Sequence, residues 1–258
     1  MKQFFLTFTA SFAILSSAAF AQQNTSTLSG TYVVTEEGSG VSQPIASVAI
    51  LNFMSGGTVA GTQISRTPGS TVKSSLQGTY TLNNDSTGSL TLTAQTMPAD
   101  GSDPVMSNIN YQLLSPRSGA IDAIRTDNGI FTIAHISLKS TSALKGAFIL
   151  SEHGNGTPYA GLGVLNLDGA NAITGSERVE TVGVNVVNSL TGNYAVGSDG
   201  FGSLTLNVPF TDINGNVSSS AANYLFVAGV DQVFAIRTDA NTAVVSTLSA
   251  LQQITLMQ

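Results

Sequence analysis

The segment Leu76-Gln-Gly-Thr-Tyr-Thr-Leu82, followed after a polar turn by Gly88-Ser-Leu-Thr-Leu92, contains the pattern that decides the fold. Apolar residues alternate with polar ones, mostly threonine and serine, on both sides of the turn. This alternation predicts a β-hairpin with an apolar inner face and a threonine-rich outer face. The same hairpin returns further along the chain, where Leu190-Thr-Gly-Asn-Tyr194 is followed by Gly202-Ser-Leu-Thr-Leu206. The chain is therefore predicted to contain one β structure twice.

Two further motifs extend this repeat over most of the sequence. Leu28-Ser-Gly-Thr-Tyr32 returns as Leu144-Lys-Gly-Ala-Phe148, and Ala-Ile-Arg-Thr-Asp occurs unchanged at 123–127 and 235–239. The offset between the copies drifts only from 116 to 112 residues, so insertions and deletions are few. A unit of this length is large enough to be a domain. We therefore expect a first β domain over 22–140 and a second over 141–258.

Period-two alternation broken by Gly, Asn and Asp continues throughout both copies, and no long window has helical spacing. The first copy divides into strands near 30–36, 45–54, 58–66, 77–83, 88–96, 107–114, 119–126 and 130–138, and the second copy gives eight matching strands. Short connections favour antiparallel pairing in sequence order. The predicted fold class is all-β: two tandem antiparallel meanders of about eight strands, each closing into an up-and-down barrel. A pair of β-sandwiches is the alternative.

The alternation also predicts which side chains point inward. The expected core consists of Tyr32, Tyr80, Leu82, Leu90, Leu92, Tyr111 and Ile124, with Phe148, Tyr194, Val196, Leu204, Leu206, Tyr224 and Ile236 as counterparts. The run 45–51 is apolar on both faces, so we expect one of its faces to pack against the other domain.

The first 21 residues have the features of a secretory signal peptide. Lys2 precedes a short apolar run, and Ala19-Phe-Ala21 has the small residues of a cleavage site before Gln22. We expect cleavage after Ala21 and a periplasmic or extracellular location, with no transmembrane segment in the mature chain. An outer-membrane barrel is disfavoured, because the outward residues of the clearest hairpins are Thr and Ser rather than an apolar band.

Charged residues are sparse. Nine Lys and Arg stand against 15 Asp and Glu, giving a formal net charge of −6, and there is no cysteine. A negative chain without a basic cluster excludes nucleic acid as a natural partner. Without disulfides, the exported domains must be held together by core burial.

The motifs resemble those of a group of secreted bacterial β-repeat proteins, which carry L-x-G-x-Y segments followed by D-G-x-G-x-L-T-L hairpins. The matching residues are Leu190-Thr-Gly-Asn-Tyr194 and Asp199-Gly-Phe-Gly-Ser-Leu-Thr-Leu206, while the first copy departs at its turn, Asp85-Ser-Thr-Gly88. The resemblance covers nearly the whole mature chain and implies no particular activity.

A weaker resemblance is to the lipocalin and avidin (calycin) barrels, which begin with G-x-W and close with a late Arg stacked on that Trp. Gly30-Thr-Tyr32 with Arg125, and Gly146-Ala-Phe148 with Arg237, have the same order, although this chain has no Trp. Each Arg also falls on the seventh predicted strand, ahead of the lipocalin position. This resemblance implies an interior able to hold a small apolar ligand.

Arg125 with Asp127, and Arg237 with Asp239, are the candidate site residues. Arg and Asp two residues apart on a strand share one face, where they could bind a polar ligand or clamp one end of a barrel. We favour a structural role, in which each Arg packs over Tyr32 or Phe148 with a cation–π energy of about 0.5–2 kcal/mol.

Other polar residues do not form a recognisable catalytic or metal site. His135 and His153 are not equivalent and lack neighbouring ligands, so ordinary surface or strand positions are expected. Glu36 and Glu37, near the end of the first strand, are expected to be solvated. The loop 212–216 has alternating oxygen ligands but lacks an acidic residue to complete a calcium site. We therefore expect no metal, no cofactor and no catalytic residue.

These observations predict a non-catalytic secreted binding or interaction module whose partner is a protein, a glycan or a small apolar ligand. In one version it is a cell-surface or matrix component that uses its outer faces and loops, with barrel interiors filled by side chains. One alternative is a calycin-like carrier with a hollow barrel. Small residues on the strands (Gly161, Gly163, Ala123 and Ala235) are compatible with a cavity or with close packing. A more distant alternative is a glycan-active enzyme using Glu36, Glu37 or Glu152.

Overall fold

The structure, a computed structural model, describes residues 28–40, 43–114, 120–155, 159–181, 184–211, 217–230, 232–239 and 243–250. The first eight strands are β1 Gly30–Ser39, β2 Pro44–Met54, β3 Thr58–Thr67, β4 Ser70–Leu82, β5 Thr87–Thr96, β6 Val105–Leu114, β7 Ile121–Arg125 and β8 Phe131–Leu138. The next eight are β9 Lys145–Asn155, β10 Tyr159–Asp168, β11 Ala172–Thr181, β12 Val184–Val196, β13 Phe201–Thr211, β14 Val217–Ala228, β15 Gln232–Arg237 and β16 Ala243–Ala250. In these ranges the structure contains no helix that is long and apolar enough to cross a membrane.

Each set of eight strands forms a closed antiparallel barrel. Neighbouring strands pair in sequence order, and each barrel closes where its first strand meets its last, β1 with β8 and β9 with β16. Closure leaves no unpaired sheet edge, which is how a meander of eight short strands protects its backbone hydrogen bonds. The predicted tandem all-β barrels are confirmed, and the β-sandwich alternative is wrong.

The two ends of the barrel interior differ in chemistry. At the end where β1 begins, called here the aromatic end, Phe53 packs edge-on against Tyr32 and Tyr80 with ring centroids 5.1 and 5.0 Å away. The Tyr80 hydroxyl donates a 2.6 Å hydrogen bond to the carbonyl of Leu28, just before β1. Tyr194 donates in the same way to Leu144 in the second barrel, at 2.8 Å. The opposite end, called the polar end, carries the candidate site described below.

Most of the predicted core residues are buried, and the misses follow from strand geometry. Ile124 is 61% exposed because its neighbour Ala123 is the inward residue of β7. Val196 has the correct parity but lies at the last position of β12 and is 56% exposed. Leu82, at the end of β4, is only partly buried. Ile236 is fully buried, but in a cluster outside the barrel.

That cluster joins the two barrels. On the first barrel it includes Val33, Ala46, Val48 and Ile64, which define the β1–β3 face. On the second barrel it includes Phe201, Val227, Phe234 and Ile236, which define the β13–β15 face. The prediction that one face of the run 45–51 packs against the other domain is confirmed.

Polar contacts surround this apolar interface. Lys73 lies 3.0 Å from Asp199 and 5.6 Å from the ring centre of Phe201. In the connection between the barrels, the amide of Ser140 donates to Ala228 at 2.8 Å. The connection is therefore tied to the second barrel.

Candidate functional site

The polar end of the first barrel is built around a buried carboxylate. Glu36, at an inward position of β1, is only 1% exposed. Its Oε2 accepts hydrogen bonds from Ser47 on β2 at 3.0 Å and from Gln63 on β3 at 3.4 Å. Its Oε1 accepts from Thr132 on β8 at 2.6 Å and from the guanidinium of Arg125 at 3.3 Å. Donors from four other strands therefore neutralise and orient one carboxylate.

This arrangement corrects the expectation that Glu36 and Glu37 are a solvated pair. β1 continues to Ser39 rather than ending near residue 36, so the alternation places Glu36 inside the barrel and Glu37 outside it. Removing the charge partner of a buried carboxylate costs about 3–5 kcal/mol, which explains why so many donors surround it.

Arg125 connects this carboxylate to the rim of the barrel. Its Nε donates to Asp127 at 2.6 Å, and Asp127 accepts from the side-chain amide of Asn110 on β6 at 2.8 Å. Burial lowers the pKa of Arg125, but the charge of Glu36 and the hydrogen bond to Asp127 outweigh burial and hold that pKa above its ordinary value. The predicted stacking of Arg125 on Tyr32 is wrong, because the guanidinium reaches Glu36, four residues further along β1.

The phenol of Tyr111 belongs to the same cluster. Burial raises its pKa well above the ordinary tyrosine value, and the nearby negative charge of Glu36 raises it further. Tyr111 therefore stays protonated over the neutral range beside the Glu36 carboxylate.

The cavity described inside the first barrel is small. The cavity between the polar cluster and the apolar core has a volume of about 10 Å³, and its walls include Leu51, Gln63, Leu92 and Tyr111. That volume holds about one water molecule, whereas ligand pockets begin at about 300 Å³.

The second barrel places two carboxylates at the same end. Glu152 occupies the position of Glu36, and Glu177 occupies that of Gln63; they are 2% and 4% exposed. They meet above Gly161: a Cβ at that position would overlap Glu177 Oε1 and lie 3.2 Å from Glu152 Oε2. Gly161 stands where the first barrel has Ser47, so the space is used by carboxylates in place of a hydroxyl.

The Arg-Asp motif repeats in the second barrel. Arg237 donates to Asp239 at 2.9 and 3.0 Å, and Asp239 accepts from the amide of Asn223 at 2.9 Å. Burial raises the pKa of Asp239, but the hydrogen bonds from Arg237 and Asn223 outweigh burial and lower that pKa below its ordinary value. In both barrels the motif therefore ties the end of the seventh strand to the sixth strand.

The remaining predicted residues lie elsewhere. Tyr32 and Phe148 are equivalent core residues on the first strand of each barrel. His135 is a half-exposed residue of β8, as expected, and its Nδ1 lies 2.5 Å from Asp122 on β7. The side chain of His153 and the loop 212–216 lie outside the described residues. Sequence reasoning missed Ser47, Gln63, Thr132 and Glu177, because their role depends on which strands meet across the barrel.

The outer surface carries a second candidate site. The β9–β11 face of the second barrel is the counterpart of the β1–β3 face, but it packs on nothing within the described residues. A groove of about 380 Å³ runs along it. Its walls include Ile149, Leu162, Val164, Arg178 and Val187. Leu162 is 62% exposed and Val187 is 70% exposed. Clustered exposed apolar residues indicate an interaction surface.

No family model matches the chain, and no curated protein matches it. Among solved structures, the chain is similar to kievitone hydratase from Nectria haematococca, with 7% sequence identity over 90% of this chain and 92% of that chain. The TM-score of 0.29 is too low for this likeness to carry an argument about function.

Proposed function

We propose that this chain is a non-catalytic exported binding or interaction protein. In this proposal the barrels are filled, rigid bodies, and recognition takes place on their outer faces. The proposal rests on the difference in volume between the cavity inside the first barrel and the groove on the outer surface of the second barrel. The cavity described inside the first barrel has a volume of about 10 Å³, whereas the exposed apolar face of the second barrel holds a groove of about 380 Å³.

The polar cluster supports a structural role for the first barrel's interior. Each oxygen of Glu36 is already occupied by protein donors, and Arg125 is held between Glu36 and Asp127. A catalytic carboxylate needs access to a substrate proton within hydrogen-bond reach. The carrier alternative needs a hollow that the first barrel does not offer.

Export is part of the proposal and is tested separately. The predicted cleavage after Ala21 places the mature protein in the periplasm or outside the cell. N-terminal sequencing of the secreted material is expected to begin at Gln22. An intact Met1 in the extracellular fraction would contradict export through a cleaved signal.

Surface recognition is tested with an apolar fluorescent probe, 8-anilinonaphthalene-1-sulfonate. We expect Leu162→Asp to weaken probe binding by about tenfold, because the substitution places a charge in the middle of the groove. Thr191→Asp, an exposed change on the neighbouring strand β12, is the matched control and is expected to leave binding unchanged. Equal probe affinity in the wild type and in Leu162→Asp would contradict recognition at this face.

The buried carboxylate pair of the second barrel supports a second candidate function, acid–base chemistry on a glycan. Glu152 and Glu177 both lie beside Gly161 at the polar end, and a pair of carboxylates is the usual catalytic equipment of glycoside hydrolases. The test compares Glu177→Gln with the wild type for hydrolysis of a panel of oligosaccharides. Turnover by the wild type that is lost in Glu177→Gln would support this function over the binding proposal.

A further inference from the structure

The two barrels dock through surfaces that are not equivalent. The first barrel uses its β1–β3 face, and the second uses its β13–β15 face. Because the barrels are copies of one unit, each must also carry a counterpart of the face that the other uses. An interface of this kind is heterologous, and it leaves one unused face at each end of the pair.

The unused face of the second barrel is the β9–β11 face with its apolar groove. Ile149 and Val33 occupy equivalent positions of the repeat, directly after the equivalent residues Phe148 and Tyr32. Leu162 is paired with Arg178 on the adjacent strand, and Val48 is paired in the same way with Ile64, so Leu162 is the counterpart of Val48 and Arg178 the counterpart of Ile64. The residues that are buried between the barrels on β1–β3 thus have exposed counterparts here.

The unused face of the first barrel, called the β5–β7 face, is the counterpart of the β13–β15 face. Ile124 stands at the position of Ile236, and Leu114 at that of Val227. Ile236 and Val227 are fully buried, whereas Ile124 and Leu114 are exposed, as is Ile133 on the adjacent strand β8.

Charge complementarity accompanies this apolar pattern. Arg178 replaces Ile64 on the unused face of the second barrel, and Asp122 replaces Phe234 on the unused face of the first. Ile64 and Phe234 belong to the same buried cluster between the barrels. Docking in the same manner between two chains would therefore place Arg178 and Asp122 in one interface, at positions that the internal interface fills with apolar side chains.

We infer that this chain assembles head to tail with copies of itself, the β5–β7 face of one chain docking on the β9–β11 face of the next. Each intermolecular contact repeats the arrangement that joins the two barrels within a chain. A heterologous contact closes into a ring or continues as a filament. The inference rests on the proposed function and names the partner that its outer faces bind.

The test measures molar mass by light scattering over a concentration series. The wild type is expected to rise from one chain to larger multiples, while Ile124→Asp and Leu162→Asp each stay at one chain. An equimolar mixture of these two variants is expected to form a dimer and nothing larger, because one intact face remains on each chain. Thr91→Asp and Thr191→Asp change exposed threonines that are not equivalent to any residue of the cluster between the barrels, and these variants are expected to assemble like the wild type.

A charge exchange tests the register of the contact. Asp122→Arg and Arg178→Asp are each expected to weaken association by at least about tenfold, and the chain with both changes is expected to recover it. A wild type that stays at one chain at every concentration would overturn the inference, as would variants that assemble normally. A wild type that does not assemble but binds the probe in a manner that depends on Leu162 would refute self-association alone. A wild type that neither assembles nor binds the probe at this face would refute the proposed function as well.

Discussion

Ile236 and Ile124 form a natural matched pair, because the same residue occupies the same position of the repeat in two different surroundings. Ile236 is fully buried in the cluster between the barrels, whereas Ile124 is 61% exposed. Truncation to alanine removes three carbons from each. At about 0.8 kcal/mol per buried carbon, the transfer term for Ile236 is about 2.4 kcal/mol.

The cavity left by Ile236→Ala raises the expected loss to about 3–4 kcal/mol, because closely packed neighbours relax only in part. Ile124→Ala is expected to change the free energy of unfolding by less than about 0.5 kcal/mol, as exposed substitutions do. Urea unfolding, followed by circular dichroism at a concentration where the wild type is a single chain, measures both. The unfolding slope must stay constant for the comparison.

A loss below about 1 kcal/mol in Ile236→Ala would show that the barrels are not held together by this cluster. Equal losses in the two variants would refute the distinction between the used and unused faces of the repeat, on which the assembly argument depends.

Four further outcomes follow from particular contacts. Leu92→Ala is expected to cost about 2–5 kcal/mol in urea unfolding, because Leu92 is buried in the first core; a loss below about 1 kcal/mol would remove it from that core. Thr35→Val is expected to stabilise by about 1 kcal/mol in the same assay, since Thr35 Oγ1 is buried without a hydrogen-bond partner among the described residues; a loss of stability would contradict this. The raised pKa of Tyr111 gives stability that is present below the ordinary tyrosine pKa of about 10 and lost as pH rises through the folded value. Phenolate absorbance should therefore show a late component that Tyr111→Phe removes. The lowered pKa of Asp239 gives stability that is present above the ordinary aspartate pKa and lost as pH falls through the folded value. The free energy of unfolding should therefore fall less steeply with decreasing pH in Asp239→Asn than in the wild type. Identical pH profiles of the two proteins would contradict the clamp.

The fold could be predicted from the sequence because hairpin alternation and duplication report the same architecture independently. Interior apolar residues alternate with polar ones on both sides of the turns in 76–92 and 190–206, and closed barrels follow from eight such strands. The beginning of β4 was missed, since Ser70 to Ser75 is polar and its inward residue Ser74 bonds to Thr96 rather than to the apolar core.

The candidate site was predicted only in part. The identical Arg-Thr-Asp motifs drew attention to the seventh strands, and the structure places both at the clamp between the sixth and seventh strands. Glu36 was misjudged because a single sequence does not show how far β1 continues. Glu177 was missed because its partner, Glu152, lies on a strand that does not neighbour its own.

The docking faces show a similar limit. The doubly apolar run 45–51 predicted an interface, but its partner face was not predicted. The runs 224–228 and 233–236 are also apolar on both faces, and this signal in β14 and β15 was missed. The comparison of equivalent positions in the folded copies then separates the faces that are used from those that are not.

Native mass spectrometry of the purified chain tests the central claim most directly, because one spectrum gives both the mass of any bound small molecule and the number of chains in each assembly. Filled barrels with recognition on the outer faces predict ions of the bare chain and of its whole-number multiples. A species of one chain plus one small molecule, released by unfolding, would contradict this account and show that a barrel carries a ligand.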